Sequence, residues 1–126
     1  MNQVDEHGLK TGPWEERDPH GGVVAGSYVA GERQGEWLHH FADGRVRSEF
    51  HYDAGKLTAG CTWYRATGGL AQKGGFLHDQ KHGCWQRWTA TDSLLDEGSF
   101  DRGTKVGEWM VSDHDSTVKK RTNYRA

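Results

Sequence analysis

Between residues 45 and 53 the chain reads Arg-Val-Arg-Ser-Glu-Phe-His-Tyr-Asp, so Val46, Ser48, Phe50 and Tyr52 share one face of an extended segment while Arg45, Arg47, Glu49, His51 and Asp53 share the other. Alternation with a period of two predicts a β-strand, because successive side chains of a strand leave opposite faces. No comparable helical stripe of apolar residues appears. The aromatic that closes this strand belongs to a regular beat. Tyr28, Tyr52, Phe76, Phe100 and Tyr124 follow one another at a constant interval, the step from Tyr28 to Tyr52 repeated without drift.

Each beat carries further punctuation. Three residues after four of these aromatics stand Gly31, Gly55, Asp79 and Gly103; Gly35, Gly60, Gly83 and Gly107 follow, and two residues beyond those come Trp37, Thr62, Trp85 and Trp109. Gly8, Gly12 and Trp14 write the same phrase upstream, and a second turn signal falls at Gly21, Gly44, Gly69, Asp92 and Ser116. Two short extended runs separated by Gly or Asp turns predict a hairpin. A fixed period predicts an array of them. The expected fold is all-β: an elongated antiparallel meander of about five stacked hairpins, units starting near 12, 35, 60, 83 and 107, in one single-layer twisted sheet spanning 1–126 as one domain. Trp14, Trp37, Trp85 and Trp109 are expected to align with Tyr28, Tyr52, Phe76, Phe100 and Tyr124 as an aromatic ladder. The third unit departs from the pattern. Thr62 stands in the tryptophan slot, Trp63 comes one residue late and "GKLTAG" carries an extra residue, which predicts a bulge.

The unit G-x-W, turn, aromatic, G-x3–4-G resembles the MORN repeat, in particular the bacterial MORN-variant repeats of antitoxin and immunity proteins, over nearly the whole chain from Gly8 to Tyr124. That resemblance implies a hairpin array used for protein contact, with lipid contact in some members. It implies no catalytic residue.

Composition fits an array whose aromatics do the packing: only 33% of the 126 residues are hydrophobic and 18 are glycine, against six Trp, four Tyr and four Phe. The net charge of −2 gives no field to gather nucleic acid. A basic end, Lys119, Lys120, Arg121 and Arg125, supports a second reading as a scaffold or lipid-associated module. No run of about 20 apolar residues and no basic-then-apolar leader occurs, so a cytoplasmic address is the expectation.

Candidate chemistry is sparse. Cys61 and Cys84 follow Gly60 and Gly83 and read as equivalent positions of neighbouring units, too far apart for a disulfide. His78, His82 and Cys84, with Cys61 as a fourth donor, outline a metal-dependent alternative, but H-x3-H-x-C matches no strong zinc spacing. His39 and His40 point to opposite faces, His51 lies on the polar face, and Glu15 is split by alternation from Glu16 and Asp18. No nucleophile elbow or phosphate loop is present, so no catalytic residue and no cofactor are assigned. Alternation also directs Leu38, Trp63, Trp88 and Met110 away from the ladder, among charges. Flanked by Arg65 and Arg87, these four are the expected docking surface for a protein partner; the rival readings are that the sheet curls over them or that the bulge returns Trp63 to the ladder. Terminal edge strands leave a homodimer open.

Overall fold

A computed structural model describes residues 2–112 and 118–124; Ser116 and Arg125 lie outside the described residues. The protein is all-β, one open antiparallel sheet. Its strands are β1 (Gln3–Val4), β2 (Lys10–Arg17), β3 (Val23–Val29), β4 (Glu32–His40), β5 (Val46–Asp53), β6 (Lys56–Tyr64), β7 (Leu70–Leu77), β8 (Gln80–Lys81), β9 (Gly83–Trp88), β10 (Leu94–Asp101), β11 (Thr104–Ser112) and β12 (Val118–Tyr124). Neighbours in sequence are neighbours in the sheet, which is therefore a meander; β8 and β9 share one strand's place beside β7.

Two kinds of turn alternate along it. At one margin Ala30-Gly31, Ala54-Gly55, His78-Asp79 and Arg102-Gly103 each place two consecutive residues at positive φ, the backbone of a type I′ two-residue hairpin turn. At the other margin wider loops close with backbone bonds from Asp18, Phe41, Arg65 and Thr89 to the carbonyls four residues on. The left-handed residue of these loops is Gly21, Gly44, Gly68 or Asp92, so in the third unit the turn position is Gly68 and not the expected Gly69.

The ladder supplies the core. Rings meet edge to face from strand to strand: Trp14 and Tyr28 at 5.6 Å, Tyr28 and Trp37 at 5.0 Å, Trp37 and Tyr52 at 6.3 Å, Phe76 and Trp85 at 5.3 Å, Trp85 and Phe100 at 6.0 Å, Phe100 and Trp109 at 5.0 Å, and Trp109 and Tyr124 at 6.4 Å. Although no second layer covers the sheet among the described residues, Trp37 and Trp85 are only 2% and 3% exposed. Part of the reason is that each indole lies flat over the backbone of the preceding strand. A methyl group added at Gly26, Gly74 or Gly98 would overlap the rings of Trp37, Trp85 and Trp109 respectively. The indole N–H groups of Trp37, Trp85 and Trp109 then donate to the carbonyls of Ser27, Gly75 and Ser99 at 3.1, 3.1 and 3.0 Å. Burying such a side chain contributes about 1.5–3 kcal/mol, and each edge-to-face pair about 0.5–1.5 kcal/mol more.

The third unit is built differently from the expectation. It has no extra residue: Ala59, at φ 58°, takes the place of Gly35, Gly83 and Gly107, and Cys61 falls in the tryptophan slot, one full period from both Trp37 and Trp85. The pairing irregularity after Glu49 recurs after Ala25 and Glu97, so it belongs to the repeat. Trp63, two residues after Cys61, shares its face. It packs on Phe50 at 5.2 Å and on Trp85 at 5.7 Å, carrying the ladder across the gap. Phe50 stands where the other units have Gly26, Gly74 and Gly98. One bulky ring has moved from β6 to β5, and the space is filled from the opposite strand.

Candidate functional site

The anticipated docking surface is divided by this geometry. Trp63 lies on the ladder face, contrary to its expected outward direction, because Cys61 and not Thr62 is the tryptophan-slot residue. Arg87 is on the ladder face as well: its register neighbours are Gln72 and Asp96, and its guanidinium clasps the Asp96 carboxylate, with Nε 3.0 Å from both oxygens. Leu38 and Met110 do point to the back. The back-face row reads Leu38, Glu49, Thr62, Lys73, Gln86, Glu97, Met110 and Arg121 in register, so five polar residues separate the two apolar ones. Trp88 is half-buried, and its carbonyl accepts a 2.7 Å bond from Arg65 Nη2. The six residues form no contiguous patch.

The metal-ligand alternative is divided too. Cys61 and Cys84 are not equivalent positions: Cys61 stands opposite Gly74 on the ladder face and is buried, whereas Cys84 stands opposite Ser99 on the back and is exposed. Burial pushes the Cys61 thiol up to about 12. His78 sits in a hairpin turn and His82 Nδ1 accepts the Arg102 N–H at 3.3 Å. Among the described residues no three His, Cys, Asp or Glu side chains converge where a metal ion could bind.

One acid–histidine pair escaped the alternation argument because it links a turn to a strand. Asp18 Oδ2 lies 2.6 Å from His39 Nε2, while Oδ1 accepts the N–H groups of His20 and Gly22 at 2.8 Å each. The His39 bond first, and then the Gly22 N–H, lowers the Asp18 carboxyl to about 2. Ser48 stands opposite His39 but is mid-strand and 3% exposed, which gives no substrate an approach. The pair acts as a clasp on the loop between β2 and β3.

The feature that organises the ladder face is a row of cations. Lys10 Nζ lies 4.7 Å from the Trp14 ring centre, the Arg33 guanidinium 4.3 Å from Trp37, Lys81 Nζ 4.8 Å from Trp85 and Lys105 Nζ 4.7 Å from Trp109. Each also reaches the next aromatic, with Tyr28, Tyr52, Phe100 and Tyr124 at 5.1, 5.4, 5.2 and 5.6 Å in the same order. A cation over an aromatic face gains about 0.5–2 kcal/mol. Leu57 fills this slot in the third unit, where the tryptophan is absent. The spacing was in the sequence, since Arg33, Leu57, Lys81 and Lys105 keep the interval of the aromatics, but a search on aromatics and glycines passes over it. Between the last two cations lies a hollow of about 240 Å³, lined by Lys81, Lys105, Arg87, Asp96 and the edges of Trp85, Phe100 and Trp109. On β12, Arg121 pairs with Glu108 at 2.7 Å, and Lys120 stands opposite Val111 on the ladder face.

No family model and no curated protein matches the chain. Among solved structures it is similar to a chain from a crystal structure of a GtfA/B complex bound to UDP and GlcNAc, at TM-score 0.37 and 12% identity, over 99% of this chain and 27% of that one. No helix among the described residues is long and apolar enough to cross a membrane.

Proposed function

We propose that this chain is a protein-interaction module, an antitoxin or immunity protein that binds a cognate toxin and covers its active cleft. The observation that carries the interaction reading is the self-sufficient ladder: a single-layer sheet buries Trp37 and Trp85 almost completely with no second layer among the described residues, so its shape is fixed while both faces stay available. A surface ordered before contact loses little conformational freedom on binding. Inhibition is then steric and asks no chemistry of the sheet. The toxin as partner rests on the resemblance of the repeats to the MORN-variant antitoxins. The test is genetic: the adjacent reading frame is expressed alone and together with this chain. Growth arrest relieved by co-expression supports the reading, and arrest that persists with the folded chain present overturns it.

A further inference from the structure

Resting on the reading above, we propose that the ladder face of the C-terminal half is the docking surface and that its occupant is an acidic helix of the partner, lying across the strands with carboxylates one heptad apart over Lys81 and Lys105. The charge is one-sided. Lys81, Arg87, Lys105 and Lys120 are exposed on this face, and among the described residues one carboxylate stands in register with them, Asp96, already clasped by Arg87. Neither Lys81 nor Lys105 meets a carboxylate among the described residues, whereas Lys10 in the first unit is bonded to Glu16 at 3.1 Å. Both ammonium groups are held in place by the rings beneath them and flank one hollow, so little side-chain freedom is lost when an anion arrives.

The spacing selects the occupant. Equivalent positions two strands apart are separated by roughly 9–10 Å. Seven residues of helix rise about 10.5 Å, which brings carboxylates at i and i+7 over successive cations. Residues sharing one face of an extended segment recur at roughly 6.6 or 13 Å and miss them. A nucleic-acid strand carries one charge per about 3.4 Å, far denser than this row. The next slot along is Leu57, beside Cys61 and Trp63, so the same helix face meets apolar surface one heptad further on.

The probe is a synthetic stapled helix with Glu at i and i+7 and Leu at i+14 on one face, titrated at low salt against the whole protein and followed by the indole N–H resonances of Trp85 and Trp109. Leu57 supplies the substitution, because leucine is the residue the third unit carries in this slot, and circular dichroism checks that the variant folds. Binding that weakens about tenfold or more in Lys81→Leu/Lys105→Leu, with unchanged circular dichroism, and is retained in Lys10→Leu supports the proposal. A helix carrying Lys in place of Glu should bind the charge-reversed Lys81→Glu/Lys105→Glu protein. Absence of binding, equal binding by the double leucine variant, equal binding of a Glu i, i+2 peptide, or stronger binding of a single-stranded oligonucleotide overturns it. Because the peptide titration does not involve the toxin, its failure leaves the neutralisation reading standing, with another face as the contact.

Discussion

The exchange in the third unit makes a quantitative prediction. Three units pair a glycine with a tryptophan lying over it, at 26 and 37, 74 and 85, and 98 and 109; the third pairs Phe50 with Cys61. Placing tryptophan at 61 alone drives an indole into Phe50, an overpacking that costs about 1–3 kcal/mol. Removing the phenyl ring alone, as Phe50→Gly, opens a half-buried hole; a fully buried Phe costs about 3–5 kcal/mol when truncated, so about 2–3 kcal/mol is expected here with the glycine's own backbone cost included. If the two sites were independent, the double variant would lose about 3–6 kcal/mol. Restoring the glycine–tryptophan pair should instead return it to within about 2 kcal/mol of the parent, a favourable coupling of at least about 1 kcal/mol. All four proteins of the cycle carry Trp63→Val, because Trp63 packs beside Cys61 where a ring at 61 must go, and valine is the residue at the corresponding position 111. Urea unfolding followed by far-ultraviolet circular dichroism reads the midpoints at a common slope. Additivity within about 0.5 kcal/mol would show that Phe50 and Cys61 are not a compensating pair.

Other consequences are equally specific. Gly74→Ala places a methyl group in the Trp85 ring and should cost about 1–3 kcal/mol, seen as a lower urea midpoint. Ala59→Gly relieves a non-glycine residue at φ 58° and should raise stability by about 1 kcal/mol in the same assay. The Asp18 carboxyl is held at about 2, below its unfolded value, by the His39 and Gly22 bonds; its contribution is therefore complete above about pH 4 and is lost as pH falls towards 2. The stability difference between the parent and Asp18→Asn should shrink over that window. Maleimide should label Cys84 on the native protein and reach Cys61 only on unfolding, because burial holds the Cys61 thiol protonated and shielded.

The sheet was legible because its determinants are local and repeated. An aromatic at one fixed period, glycine or aspartate where φ must be positive, and strict alternation in β5 all act within one hairpin. What misled in the third unit was anchoring its register on Gly60. A glycine there looks like the turn residue, whereas the residue at positive φ is Ala59, and one step of slippage turns every side chain to the other face. Anchored there, Trp63 points outward. Arg87 and Trp88 are adjacent in one strand and therefore diverge to opposite faces. The cation row is hidden for a different reason: lysine and arginine read as surface charge until the ring beneath them is seen. The Asp18–His39 clasp joins residues 21 positions apart through a loop, a separation no local pattern announces.

Neutralisation by contact is tested most directly by titrating the purified chain into the purified product of the adjacent reading frame and following complex formation and toxic activity together. The expected result is a stoichiometric complex in which activity disappears, with no change in either polypeptide's covalent structure. Activity that survives saturation with a correctly folded chain, or loss of activity through covalent modification, would contradict it.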